Sequence, residues 1–163
     1  MEPALRALLE ELAAFGREHD AREAEHARRM LNITPETGAF LAILIQATRA
    51  RRILEIGTSN AYSTIWLAWA AAQTDGHVTT VERSAEKAAM ARANLARAGL
   101  LDRVTLCEGP ALDVLPGLSG PFDFISGRRP AQLPRLPRPA PAAPAPRRPL
   151  SDGQRCLPRR GDA

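Results

Sequence analysis

The chain has 163 residues and is 45% hydrophobic, enough for one globular core and too little for two comfortable ones. Its net charge of +4 is unevenly placed. Nine Arg against two Asp put +7 on residues 126–163 and leave −3 on the first 125, so the part able to fold is mildly acidic and no nucleic-acid partner is expected. No apolar run, FLAILI at 40–45 included, is long enough to cross a bilayer, and the charged N-terminus has no apolar signal core; no membrane partner is expected and the location read is cytoplasmic.

From Glu2 to about Met30, Leu5, Leu8, Leu9, Leu12 and Phe15 recur at helical spacing with charges between them, which predicts an amphipathic helical arm. Thr34-Pro35-Glu36 is a helix start: a hydroxyl cap, a proline where no amide is needed, and an acid at the positive end. The helix through FLAILIQATRA is apolar enough to be mostly buried. A regular alternation follows. RRILEI (51–56) is a short β-type run, NAYSTIWLAWAAAQ a helix, HVTTVE (77–82) a strand, SAEKAAMARANLARAG a capped helix, RVTLCEG a third strand, PALDVLPGL a short helix, and FDFI (122–125) the start of a fourth strand. Strands alternating with helices predict right-handed crossovers and a parallel sheet, an α/β class. The organisation expected is a helical region over 1–50, a partial Rossmann-like cofactor domain over 51–125, and a tail over 126–163.

The chemistry concentrates in ILEIGTSNAYSTIWLA, residues 53–68. A strand carrying the acid Glu55 turns through Gly57, Thr58, Ser59 and Asn60 into a helix whose first turn bears Tyr62, Ser63 and Thr64. In a parallel sheet, ligands sit beyond the carboxyl ends of the strands, where helix N-terminal amides hold a carboxylate or phosphate. Glu82 closes the second strand, placed to accept hydrogen bonds from vicinal ribose hydroxyls. The third strand ends in Glu108-Gly109-Pro110-Ala111, a turn able to pass close to an adenine ring. Read alone, an acid at a strand end is a solvated charge, and Tyr62 and Trp66 suit packing better than ligand contact. The ordered combination points to a nucleoside ligand. GTSNAY lacks the further glycines of a dinucleotide fingerprint, so a mononucleoside-type cofactor is favoured over NAD. Cys107 and Cys156 are too few for a disulfide framework or a zinc site, which fits a reduced compartment.

ITPETGAFL, ILEIGTSNAYSTIWLA, HVTTVE, AGLLDRVTLCEGPA and PFDFI together resemble, in order and spacing over roughly residues 28–125, the S-adenosylmethionine-dependent O-methyltransferases of the catechol and caffeoyl-CoA type. The resemblance implies that Glu55 and Gly57 line the methionine side of S-adenosyl-L-methionine, that Ser63 binds its carboxylate, and that Glu82 holds the ribose hydroxyls. It implies further that Gly109 and Ala111 flank the adenine and that Ile33 gives a backbone contact; Ser59 and Tyr62 of the turn complete the cofactor-side set. The acceptor implied is a small molecule with a phenolic or similar hydroxyl. A homodimer through the N-terminal helices is compatible with their apolar stripe. One departure is that Ala61 stands where such enzymes usually have glycine, which matters if the backbone there needs positive φ.

Intact members of that family continue into an aspartate-rich motif and a later Gly-Gly turn, and carry a divalent metal of the Mg²⁺ type; no residue after Phe124 can be assigned as a metal ligand or a catalytic group. The tail is made almost solely of Arg, Pro, Ala, Gly and Leu, all of which have GC-rich codons. Read one base later, codons for Gly127 onward permit the aspartates, the tyrosines and the Gly-Gly in the family's order. The expectation is therefore a C-terminal half missing or frameshifted near Ser126, a disordered polyproline-like tail, and doubtful activity for the chain as written. The alternative is a non-enzymatic nucleoside-binding half-domain whose basic tail binds an anionic partner.

Overall fold

The computed structural model describes residues 1–127. The tail expectations therefore lie outside the described residues, except that Ser126 and Gly127 belong to a strand. The elements in order are α1 (Pro3–Arg22), α2 (Pro35–Thr48), β1 (Arg52–Ile56), α3 (Tyr62–Ala72), β2 (His77–Glu82), α4 (Ala85–Arg97), β3 (Val104–Glu108), α5 (Ala111–Val114) and β4 (Phe124–Gly127). The strands form one parallel sheet in the order β3-β2-β1-β4. The chain thus moves outward through β2 and β3, then crosses back to lay β4 on the other side of β1. This reversal opens a crevice at the strand ends beside β1, where an α/β sheet takes its ligand.

Local chemistry sets most boundaries. Thr34 caps α2 by accepting from the Thr37 amide at 3.2 Å, and Ser84 caps α4 by accepting from Lys87 at 3.3 Å; each hydroxyl satisfies a helix amide that has no intrahelical partner. A Cβ at Gly38 would run into the Trp66 ring, so the missing side chain is what lets α2 lie close against α3. The apolar core joins Leu8, Leu9 and Leu12 of α1, Ala42 and Ile45 of α2, Ile65 and Leu67 of α3, Leu95 of α4, and Ile53 and Val78 of the sheet. Tyr62 belongs to this core and is 2% exposed.

Two elements differ from expectation. The N-terminal helix, read to about Met30, ends at Arg22. Asp20 ends it by reaching forward: its carboxylate accepts from the amides of Met30 at 2.6 Å and Leu31 at 2.8 Å, folding residues 23–34 back as a strap. Partial burial works to raise the Asp20 pKa, but the Leu31 and Met30 amides and nearby His19 outweigh it and hold it below the usual value. The fourth strand starts at Phe124 rather than Phe122. Asp123 is spent on β1, with its carboxylate accepting from the amides of Arg51 and Arg52, each at 2.9 Å. Among the described residues β4 is an edge strand, and Ile125 on it is 46% exposed. No helix among the described residues is long and apolar enough to cross a membrane.

Candidate cofactor-binding site

The β1 strand delivers Glu55 into a closed polar cage. Its carboxylate is 1% exposed and accepts from Ser63 Oγ at 2.6 Å, Thr64 Oγ1 at 2.6 Å and Thr80 Oγ1 at 2.7 Å. Thr80 is its register partner on β2, and Thr58 Oγ1 lies 2.7 Å from Thr80 Oγ1. Burial pushes the Glu55 pKa up, the three hydroxyls oppose this, and the charge of Glu82 adds to the rise. Ser63, expected to bind a carboxylate, is in this structure a donor to Glu55; its place in the first turn of α3 keeps it at the positive helix end.

Beyond Glu55 the backbone makes a turn of alternating hand. Gly57, Ser59 and Ala61 have φ of 96°, 51° and 68°, and the turn is tied to β2 by Gly57 N donating to Val81 O at 2.9 Å. The turn's amides are used within the protein: Thr58 N also donates to Val81 O, Ser59 N to Glu82 and Ala61 N to Thr58 O. A Cβ built on Gly57 meets nothing within 4 Å. The glycine therefore borders open space at the strand ends, and a ligand can approach the bare backbone there. Ala61, buried and left-handed at the start of α3, does need the positive φ at which an L-side chain is strained.

Glu82 at the end of β2 is 6% exposed, and its two oxygens accept from the amides of Ser59 at 2.8 Å and Ser84 at 3.0 Å. Each oxygen keeps a lone pair for a further donor, such as a ribose hydroxyl. The acid of β2 is thereby bonded to the turn after β1. The β3 end adjoins them: Gly109 N donates to Glu82 O at 2.9 Å, and Gly109 has φ 136°. Ala111 opens α5 just beyond, while Glu108 points away to an ion pair with Arg92 at 2.6 Å.

Six of the expected residues, Glu55, Gly57, Ser59, Ser63, Glu82 and Gly109, thus gather at three adjacent strand ends through direct or shared hydrogen bonds. Ile33 lies on the strap, half-buried against the core beside the Thr34 cap. Tyr62 instead sends its side chain into the core and lines, with Trp66 and Trp69, a cavity of about 510 Å³ between α1, α2 and α3. Sequence reasoning missed Thr58 and Thr80. The available signal was the threonine pair in β2, one member of which is in register with Glu55.

The donor set and the open glycine fit a nucleoside cofactor carrying an amino-acid arm. Among the described residues no group of three or more His, Cys, Asp or Glu could hold a divalent metal.

A family model described as O-methyltransferase matches residues 6–126. The catechol O-methyltransferase of Mycobacterium tuberculosis is 50% identical over 94 residues, which are 57% of this chain and 42% of that protein. The catechol O-methyltransferase of Niastella koreensis is 42% identical over 106 residues, 63% of this chain and 48% of that one. Among solved structures, the O-methyltransferase from Bacillus cereus in complex with SAH is 40% identical, with a TM-score of 0.61 over 75% of this chain and 54% of that chain. The chain spans about half the length of the curated relatives it matches. With a match covering most of its length and the parallel sheet of the solved neighbours beneath it, the chain belongs to the O-methyltransferase family.

Proposed function

We propose that the described residues form the cofactor half of an S-adenosylmethionine-dependent O-methyltransferase acting on a small molecule with a phenolic or similar hydroxyl. The observation that carries this reading is the open face of Gly57 beside Glu82, with the turn amides and the acid already joined in one network. In it, Glu82 accepts from the ribose hydroxyls, and the first turn of α3 with Ser63 receives the carboxylate of the amino-acid arm. Gly57 lets that arm lie on the backbone, Gly109 and Ala111 border the base, and the caged Glu55 holds the turn rigid. Bound there, the cofactor supplies an electrophilic methyl group. The chain's own task is to fix its orientation, a positioning effect rather than acid–base catalysis.

No described residue takes the part of catalytic group or metal ligand, so the acceptor side belongs to sequence outside residues 1–127. The frame of that sequence decides activity. The chain as written is expected to bind cofactor without turnover, and a one-base correction near the Ser126 codon is expected to restore the aspartate and Gly-Gly motifs. The test is methyl transfer from labelled S-adenosylmethionine to catechol, with Mg²⁺ present. The corrected chain should methylate and the chain as written should not. A corrected frame that lacks those motifs, or has them and stays inactive, overturns the frameshift reading. The competing non-enzymatic reading rests on the nine Arg of residues 126–163, and predicts polyanion binding that is lost with salt. A cytoplasmic location and a homodimer through α1 are part of the same proposal.

A further inference from the structure

The strap between α1 and α2 lies against the cofactor turn, and two charged side chains that belong to neither hold it there. Asp20 grips the amides of Met30 and Leu31 at 2.6 and 2.8 Å. Lys87 donates through Nζ to the carbonyls of Arg29 at 2.7 Å and Ala27 at 3.0 Å. The strap in turn holds the turn: Ser59 Oγ donates to Met30 O at 2.8 Å, and the Ser59 amide donates to Glu82 at 2.8 Å. A continuous path of hydrogen bonds therefore runs from Asp20 and Lys87 through Met30 and Ser59 to the acid of the cofactor site.

Two features show that this arrangement is maintained against local preference. Lys87 sits in the first turn of α4, where the helix dipole disfavours a cation; its carbonyl partners 58 and 60 residues away compensate. Leu31 has φ 55°, a left-handed conformation uncommon for a bulky residue, held by the Asp20 contact at its own amide. Strain of this kind persists where surrounding contacts over-determine the backbone.

We infer that Asp20 and Lys87 are positioning residues for cofactor binding: they pin the strap so that Met30 orients Ser59 toward Glu82 and Ile33 stands at the site's border. This rests on the cofactor reading above. Without the clamp, the strap and turn must be ordered at the moment of binding, and the ordering entropy is subtracted from affinity. A lost contact involving a charged group amounts to roughly a tenfold weakening.

The test is calorimetric titration of the full chain with S-adenosylhomocysteine, alongside thermal melts and amide exchange. Lys87→Met and Asp20→Asn should each weaken binding by about tenfold. Amides of residues 27–33 should exchange faster while those of β1 and β2 keep their protection, a pattern that general destabilisation would not produce. Lys87→Arg, which can still donate to both carbonyls, should bind within a few-fold of the native chain. Native-like binding by both Lys87→Met and Asp20→Asn overturns the clamp and leaves the cofactor site standing. Absence of binding by the native chain overturns both. If Asp20→Asn does not fold, the half-exposed Lys87 pair of variants decides the matter.

Discussion

On one face of the sheet, Ile53 and Val78 enter a continuous core with Leu9 and Leu12 of α1, Ile45 of α2, Ile65 and Leu67 of α3 and Leu95 of α4. On the other, Leu54, Val81 and Cys107 are packed against by the hydrophobic side chains of Ala111, Val114, Leu115, Leu118 and Phe122, all only partly buried. The side chains that shape the candidate site come from the first side. Ser63 and Thr64 are on α3, Lys87 on α4, Asp20 on α1. A parallel sheet ordinarily has helices on both faces. The difference between the faces teaches that the cofactor-facing strand ends can be organised from one face, with the second face only partly covered among the described residues.

Leucine-to-alanine changes on the two faces probe that contrast most strongly. Leu67→Ala, at a fully buried position, should cost about 3 kcal/mol, whereas Leu115→Ala on the partly covered face should cost about 1 kcal/mol. Urea melts of the two variants measure both, and equal losses would break the comparison. The next largest effect should come from Glu55, whose pKa is raised chiefly by burial. An acid with a raised folded pKa binds more protons folded than unfolded. Its contribution is therefore intact below the ordinary value of 4.5 and lost as pH rises through the folded pKa. Glu55→Gln should remove that decline, so the gap in Tm between variant and native chain should widen in the variant's favour from pH 4.5 toward pH 8. A gap independent of pH contradicts the burial argument.

Smaller still, Ala61→Gly should stabilise by about 1 kcal/mol, because only the methyl group is strained at φ 68°; a thermal melt detects it, and a loss of stability means that the buried methyl matters more than the strain. Ile125→Thr on the exposed edge should shift stability by less than about 0.5 kcal/mol while reducing self-association in light scattering. A large loss would mean that the β4 face is covered after all.

Much of this was legible in the sequence because it is local. HVTTVE was read as 77–82 and forms β2 at those residues. The Thr34 and Ser84 caps act within three residues of themselves. The alternation of strand and helix, with acids at successive strand ends, placed Glu55, Gly57, Glu82 and Gly109 together. What stayed hidden depends on contacts distant in the chain. The end of α1 is set by Asp20 bonding 10 and 11 residues ahead, the strap by Lys87 some 60 residues on, and the state of Glu55 by Thr80, 25 residues away. Helical periodicity cannot report any of these, and it therefore carried α1 past Arg22. Tyr62 illustrates the converse. The resemblance put it on the cofactor side, whereas its helical spacing with Trp66 suited packing, and its ring lies in the core.

The central claim, that the described residues already hold a working cofactor site, is tested most directly by titrating the purified full-length chain with S-adenosylhomocysteine, with NAD as the comparison ligand. The account predicts saturable one-to-one binding of S-adenosylhomocysteine, weakened by Glu82→Gln, and no binding of NAD. No heat of binding from the folded chain at millimolar S-adenosylhomocysteine, or equal affinity for NAD, would contradict it.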